Sequence, residues 1–155
     1  MKMRGTFLLL LAVGGVCAQE NVLQLTASNF DQAIQDHAFL VVEFFAPFCG
    51  HCKTLAPEWE KAATSLKGDA STVLHGIVLA SVDATVEKSL VEKFQIAGYP
   101  IIKIFEGHNI ENLSSYDGPR DAEGIVTFLQ RRAAPASKEL TTAAEVESFN
   151  SDGLV

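Results

Sequence analysis

Cysteines and positive charges are both scarce in this chain of 155 residues. It contains three cysteines, and its 12 lysines and arginines face 19 aspartates and glutamates, which gives a formal net charge of −7. A net negative surface gains nothing from contact with nucleic acid or anionic lipid, so we expect neither as a partner. Small secreted domains that depend on disulfides for stability usually carry about four or more cysteines, and the low count excludes that class.

Long apolar runs are also missing, apart from one near the amino terminus. Two cations precede the apolar residues 6–16, and small residues follow at positions where a signal peptidase cleaves. Because this run is too short to span a bilayer, we predict a signal peptide at residues 1–18 rather than a membrane anchor or a short buried helix. Its removal takes away Cys17 and leaves Cys49 and Cys52 as the only thiols.

The remaining residues alternate between strand and helix patterns, without an internal repeat. Residues 39–45 are almost continuously β-branched or aromatic, which is typical of a strand buried on both faces. The predicted order is strand 22–25, a helix capped near residues 28–31, strand 39–45, helix 49–68 with a kink at Pro57, strand 77–83, helix 87–94, strand 101–105, strand 112–116 and helix 121–132. This order predicts an α/β fold, with a central mixed β-sheet flanked by helices.

The domain boundaries follow from the same pattern. About 135 residues remain after the leader, enough to bury one core without disulfides, and we predict a single domain over residues 19–132. Small residues and a proline predict a linker at residues 133–137. Residues 138–155 are too few for a domain, so they are either the start of an incomplete second domain or a disordered tail.

One short motif joins the buried strand to the long helix. It reads Phe48-Cys49-Gly50-His51-Cys52-Lys53. Cys49 falls in the first helical turn, where free amide groups and the helix dipole favour a thiolate, so we predict that it is the attacking cysteine. Cys52 lies one turn further along and is expected to be screened from solvent. A cation or hydrogen-bond donor at His51 stabilises the thiolate and makes the pair more oxidising.

A C-x-x-C pair has two other uses. A zinc site needs four ligands, so the pair would have to recruit two of the four histidines, and none of these has the spacing of a second half-site. A structural bridge between positions 49 and 52 closes a very small loop and constrains the unfolded chain little. We therefore prefer thiol-disulfide exchange, with the Cys49–Cys52 disulfide as the redox group and with no bound cofactor or metal.

Several segments around this motif carry a resemblance to a known family. They are residues 42–53, 55–58, 82–85, 98–100 and 116–120, which read Val-Glu-Phe-Phe-Ala-Pro-Phe-Cys-Gly-His-Cys-Lys, Leu-Ala-Pro-Glu, Val-Asp-Ala-Thr, Gly-Tyr-Pro and Tyr-Asp-Gly-Pro-Arg. In this order and spacing, the chain resembles the first catalytic domain of protein disulfide isomerases, and most of all their plant-type members. The resemblance implies a thioredoxin-like fold and an enzyme that forms, reduces and rearranges disulfide bonds.

The resemblance also implies partners and a location. The partners would be unfolded or misfolded secretory proteins that carry thiols or disulfides, and an upstream thiol oxidase or glutathione. The location would be the lumen of the endoplasmic reticulum, although a retrieval signal of the Lys-Asp-Glu-Leu type is absent from this chain. Members of the family continue into a second thioredoxin-like domain, which favours a truncated chain. The competing interpretation is a non-catalytic chaperone of thioredoxin-like fold that holds clients on an apolar surface.

Individual residues take roles by their position in the resemblance. Glu43 is the one charge in the buried strand, so its pKa should be raised and it would exchange protons with Cys52; an exposed strand-end glutamate is the alternative. Arg120 would approach the site and lower the pKa of Cys52, unless it makes an ordinary surface pair. The residues implied in client binding are Phe48, Gly50, Tyr99 and Pro100, the last as a cis-proline.

The chain departs from the family at two positions. Phe48 stands where tryptophan is usual, which keeps an apolar platform and loses the indole donor. Ser81 stands where a lysine often pairs with the buried glutamate, so we expect a higher pKa for Glu43 and less efficient isomerisation. Separately, residues 112–114 read Asn-Leu-Ser, a sequon that makes Asn112 a candidate for N-glycosylation.

Overall fold

The computed structural model describes residues 21–68 and 76–134, where helices and strands alternate. In chain order they are β1 (Leu23–Leu25), α1 (Phe30–Asp36), β2 (Phe39–Phe45), α2 (Gly50–Gly68), β3 (Ile77–Asp83), α3 (Lys88–Lys93), β4 (Ile101–Glu106), β5 (Leu113–Ser115) and α4 (Ala122–Ala133). Every predicted element is found, with small shifts at the ends. Helix α4 includes Ala133, the first residue of the predicted linker, while the predicted signal peptide and residues 135–155 lie outside the described residues. Within the described ranges, no helix combines the length and the apolar character needed to cross a membrane.

The strands form a mixed sheet in the order β1-β3-β2-β4-β5. Strand β3 runs parallel to both β1 and β2, whereas β4 is antiparallel to β2 and β5 is antiparallel to β4. Because β2 pairs with β3 along one edge and with β4 along the other, it lies at the centre of the sheet. This position explains the β-branched and aromatic run at residues 39–45 and confirms the predicted central mixed sheet.

Alternate residues of β2 contribute to two cores on opposite faces of the sheet. The α2/α4 core is the buried cluster built on Val41, Leu55, Trp59, Ile104, Ile125 and Leu129. The α1/α3 core is the buried cluster built on Phe30, Ile34, Leu40, Phe44, Phe94 and Phe105. Glu43 shares the face of Val41, so its side chain points toward the α2/α4 side, where the C-x-x-C motif begins its helix.

Two helix starts show how local sequence sets the ends of elements. At α4 the side chain of Asp121 accepts a hydrogen bond from the Gly124 N–H at 2.8 Å. This bond caps the helix, as expected for an aspartate at the N-cap. At α1 the N-cap residue Asn29 makes no such bond. Its Oδ1 accepts instead from the Thr26 N–H at 2.7 Å, so this side chain closes the turn before the helix.

Helix α2 continues through Pro57 to Gly68. Proline has no N–H, so the carbonyl of Lys53 lacks the intrahelical partner that it would have in a regular helix. After Pro57 the inner face of the helix packs into the α2/α4 core through Trp59, Ala62 and Leu66. The helix that carries the motif is thus packed against the sheet by Leu55 before the proline and by these residues after it.

Candidate active site

The C-x-x-C motif lies where β2 passes into α2. The carbonyl of Ala46 accepts a hydrogen bond from the Cys49 N–H at 3.0 Å, and the carbonyl of Cys49 accepts one from the Lys53 N–H at 3.1 Å as the helix begins. The Sγ of Cys49 accepts a hydrogen bond from the Cys52 N–H at 3.3 Å. The first sulfur therefore lies just after the end of the central strand, next to the free amide groups of the first helical turn.

The two cysteines are free thiols that differ in exposure and in pKa. Cys49 is partly exposed, whereas Cys52 is 4% exposed. The pKa of Cys49 is lowered, chiefly by a hydrogen bond from the Cys52 side chain and further by the backbone N–H groups of Cys52 and His51. The pKa of Cys52 is raised to about 11, first by burial and then by its hydrogen bond with Cys49. Of the two thiols, Cys49 is therefore the one that ionises first.

Glu43 lies on β2 behind the pair and is 3% exposed. Burial raises its pKa to about 7, while the positive charge of Arg120 opposes the shift. The alternative of an exposed strand-end glutamate is therefore wrong. The Oε1 of Glu43 has no hydrogen-bond partner among the described residues.

A cavity of about 140 Å³ adjoins both Glu43 and Cys52. Its lining also includes Lys53 from α2 and Ser81 from β3. Ser81 is the register partner of Glu43, and its Oγ is likewise buried without a hydrogen-bond partner in the described part of the chain. Two larger grooves, of about 720 and 690 Å³, lie along α4 and are lined by neither cysteine, whereas Cys52 lines the small cavity.

The loop before β4 meets the first sulfur. The Tyr99-Pro100 peptide bond is cis, as the resemblance implies. The carbonyl of Tyr99 accepts a hydrogen bond from the Cys49 thiol, with 3.6 Å between Sγ and the oxygen. Arg120 donates from Nη2 to the Pro100 carbonyl at 3.3 Å. The structure thus brings Arg120 to the edge of the site, where its hydrogen bond is to the loop and its charge acts on Glu43.

Three predicted residues form the surface around Cys49. Phe48 is 75% exposed. A side chain at position 50 would meet open space, so Gly50 leaves the surface beside the sulfur uncovered. His51 is exposed, and it lowers the pKa of Cys49 through its backbone N–H. The effect predicted for its imidazole ring stays a prediction.

Asn112 lies away from the cysteines, in the turn before β5. It is exposed, and its Nδ2 donates to the Glu106 carbonyl at 3.2 Å. Its glycosylation stays a prediction. As for metals, residues 21–68 and 76–134 contain no group of three or more His, Cys, Asp or Glu side chains arranged to hold an ion.

Sequence patterns gave no indication of the role of Glu58. Its Oε2 accepts a hydrogen bond from the Ala122 N–H at 3.0 Å, and its Oε1 lies 2.6 Å from the Nζ of Lys61. Both contacts lower the pKa of Glu58, with Lys61 the larger cause. Because Ala122 is the first residue of α4, Glu58 ties the segment that carries Arg120 to the helix that carries the cysteines.

A comparison with known protein families assigns this fold. The sequence model described as Thioredoxin matches residues 21–131. The chain belongs to the thioredoxin family. That match covers the strand, the motif, the cis-proline loop and Arg120, and it confirms the thioredoxin-like fold that the resemblance implies.

Named relatives place this thioredoxin-family chain near the protein disulfide isomerases. The protein disulfide-isomerase of Triticum aestivum is 50% identical over 137 residues, 86% of this chain and 25% of the relative. That of Hordeum vulgare is 49% identical over 139 residues, 88% of this chain and 26% of the relative. The chain thus spans about a quarter of the length of these curated relatives. The first thioredoxin domain of mouse protein disulfide-isomerase A4, solved in solution, is 38% identical with a TM-score of 0.63, over 75% of this chain and 78% of that one.

Proposed function

We propose that this chain is a thiol-disulfide oxidoreductase and isomerase, which forms, reduces and rearranges disulfide bonds in folding secretory proteins. The observation that carries the proposal is the opposite shift of the pKa values of Cys49 and Cys52 within one helical turn. A lowered pKa on the accessible sulfur gives a nucleophilic thiolate, while a raised pKa keeps the second thiol protonated until it is needed. The similarity to protein disulfide-isomerases supports the same activity.

In the reduced form, the Cys49 thiolate attacks one sulfur of a client disulfide. The other client sulfur leaves as a thiolate with the electron pair of the broken bond. If a second client thiolate attacks the client sulfur of this mixed disulfide, Cys49 leaves and the client has been rearranged. If Cys52 attacks Cys49 instead, the reduced client leaves and the Cys49–Cys52 disulfide forms.

In the oxidised form, a client thiolate attacks the Sγ of Cys49, and Cys52 leaves as a thiolate that takes up a proton. A second client thiolate then attacks the client sulfur of the mixed disulfide. Cys49 leaves, and the client has lost two electrons to the pair. An upstream thiol oxidase, or glutathione disulfide, accepts these electrons and restores the disulfide, so the pair itself serves as the redox group.

Three neighbours adjust the protonation of the two sulfurs in this proposal. Glu43 accepts and returns the proton of Cys52, because it is buried beside that thiol with a pKa of about 7. Arg120 favours the charged forms of Glu43 and Cys52 from the edge of the site. His51 favours the thiolate of Cys49 through its backbone N–H and, in the proposal, through its ring.

Client binding is assigned to the surface next to Cys49. Phe48 offers an exposed ring, and Gly50 leaves room for an extended chain to lie beside the sulfur. The Tyr99 carbonyl accepts a hydrogen bond from Cys49, and Pro100 follows Tyr99 in the same loop through a cis peptide bond. The clients are unfolded or misfolded secretory proteins, and the proposed location is the lumen of the endoplasmic reticulum.

Reduction of a disulfide-bonded test protein in dithiothreitol tests this function. We expect Cys49→Ser to reduce turnover to the uncatalysed rate, because the attacking thiolate is lost. We expect Cys52→Ser to trap a mixed disulfide that appears on a non-reducing gel and disappears on reduction. Normal turnover by Cys49→Ser would overturn the proposal. Full suppression of aggregation by the doubly substituted protein would instead favour client binding without exchange chemistry.

A further inference from the structure

Two buried oxygen atoms on the α2/α4 side of the sheet have no hydrogen-bond partner among the described residues. They are the Oε1 of Glu43 and the Oγ of Ser81, in residues that are 3% and 2% exposed. An unpaired polar atom is unfavourable inside a protein, so most such atoms bind another protein group or an ordered water. Neither the backbone pairing of β2 with β3 nor the packing of α2 supplies a partner here.

The strand register places both oxygens in one cavity. Glu43 and Ser81 are directly paired across β2 and β3, and both alternate with residues of the α1/α3 core, so their side chains share the opposite face. The cavity of about 140 Å³ is lined by both residues and by Cys52. An ordered water needs roughly 10–15 Å³ and two to four polar partners. This cavity offers the space, and besides Lys53 its lining provides a carboxyl group, a hydroxyl group and a thiol as partners.

We propose that Ser81 and Glu43 hold an ordered water in this cavity, and that the water carries the proton between Cys52 and Glu43 during thiol-disulfide exchange. The inference rests on the proposed function. A serine hydroxyl has one donor and two acceptor positions, so Ser81 orients the water while Glu43 exchanges protons with it. Ser81 is therefore a positioning residue, which acts on the reaction only through the water that it binds.

Resolution of a mixed disulfide transfers one proton from Cys52 to Glu43 and exchanges one sulfur–sulfur bond for another. The Cys52 thiol gives its proton to the water as the water gives one of its own to the Glu43 carboxylate. The Cys52 sulfur then uses its electron pair to form a bond with the Sγ of Cys49. The bond between Cys49 and the client sulfur breaks, and the client leaves as a thiolate with that electron pair. Oxidation of a client runs the same transfer in reverse.

Threonine and valine at position 81 provide a matched test. The two side chains have nearly the same shape and the same β-branching, but threonine alone keeps the hydroxyl. Stopped-flow reaction of the reduced protein with an aromatic disulfide releases one coloured thiolate when Cys49 attacks and a second when Cys52 resolves the mixed disulfide. The first phase reports the exchange chemistry of the proposed function, and the second phase reports the proton transfer.

We expect Ser81→Val to slow the second phase by about tenfold or more, because proton transfer by a positioned group is lost. We expect Ser81→Thr to retain a rate close to that of the unchanged protein. Glu43→Gln should also slow the second phase, and Ser81→Val should add little to it, because both residues act through one water. If Ser81→Val fails to fold, Ser81→Ala replaces it and is expected to slow the same phase.

Three results would overturn the water-mediated transfer. One is an unchanged second phase in Ser81→Val, and another is equal slowing in Ser81→Val and Ser81→Thr, which would indicate an effect of volume. The third is full multiplication of the effects of Ser81→Val and Glu43→Gln. Loss of the first phase in the unchanged protein would contradict the proposed function instead, so the two failures are distinguishable.

Discussion

The two faces of the central sheet are packed in different ways. On the α1/α3 side, Phe30, Phe94 and Phe105 contact one another with ring centroids 5.0 to 5.6 Å apart, in tilted and edge-to-face arrangements. On the α2/α4 side, the sheet carries Glu43 and Ser81, the buried polar residues of the described chain, beside a cavity. One face is filled with aromatic rings, and the other leaves space and polar atoms next to a thiol.

The candidate active site and the cluster of Phe30, Phe94 and Phe105 therefore lie on opposite faces of one small domain. Aromatic pairs contribute roughly 0.5–1.5 kcal/mol each beyond the burial of their area, so the α1/α3 core stabilises the sheet strongly. A buried carboxyl group with an unpaired oxygen is unfavourable, and the α2/α4 side tolerates it next to Cys52, where the proposed exchange calls for a proton acceptor. Strand β2 contributes side chains to both faces, so the packing of the α1/α3 core also fixes the backbone that carries Glu43.

Removal of an aromatic ring should give the largest change in stability. We expect Phe30→Ala to lower the free energy of unfolding by about 3–5 kcal/mol, because Phe30 is fully buried and contacts two other rings. Urea denaturation under reducing conditions measures this change. The pKa of the Cys49 thiol, followed by thiolate absorbance, should stay the same because the ring lies in the other core. A shifted pKa of Cys49 would show that the two faces are not independent.

The next largest effect is a dependence of the free energy of unfolding on pH, caused by Glu43 on the α2/α4 side. The pKa of Glu43 is raised from 4.5 to about 7 in the folded protein. Its contribution to stability is therefore fully present below pH 4.5 and is lost as the pH rises through about 7, a change of about 3 kcal/mol. We expect the unfolding free energy of the unchanged protein to fall by this amount relative to Glu43→Gln.

Paired denaturation curves of the reduced proteins, at pH 4.5 and above pH 7, check this prediction. Subtracting the values for Glu43→Gln removes the contributions of groups that both proteins share. If the difference in unfolding free energy does not vary with pH, Glu43 has an ordinary pKa. The two faces would then not differ in the ionisation of a buried carboxyl group.

The smallest effect concerns the contact that ties α2 to α4. Glu58→Ala removes the acceptor of the Ala122 N–H, and we expect a loss in the free energy of unfolding that is smaller than the two changes above. Glu58→Gln keeps an acceptor oxygen and loses mainly the pair with Lys61, which is exposed to solvent and should contribute less than the hydrogen bond. Urea denaturation compares the two variants. Equal losses in both would assign the contact to charge rather than to the hydrogen bond.

Features that depend on residues close together in the chain were predictable from the sequence. The central strand followed from the run at residues 39–45, and the position of Cys49 followed from the junction between that strand and a helical pattern. The cap of α1 was harder to predict, because Asn29 has the right side chain but uses it in the preceding turn. Several local hydrogen bonds were available to this side chain, and sequence alone does not rank them.

Features that depend on contacts across the fold were not predictable in the same way. The bond between Glu58 and Ala122 joins residues 64 positions apart, and no periodicity indicates it. The pairing of Glu43 with Ser81 depends on which strands are neighbours and on their register. The sequence showed that each residue was unusual at its position, while their shared cavity emerged only from the folded arrangement.

Pro57 removes one backbone hydrogen bond from the helix of the candidate active site. Its missing N–H interrupts the hydrogen-bond ladder one turn after Cys52, while Trp59 and Leu66 fix the following turns to the sheet. Both cysteines lie on the amino-terminal side of this interruption. The turn that carries the cysteines is therefore joined to the turns held by Trp59 and Leu66 with one backbone hydrogen bond fewer than a regular helix would provide.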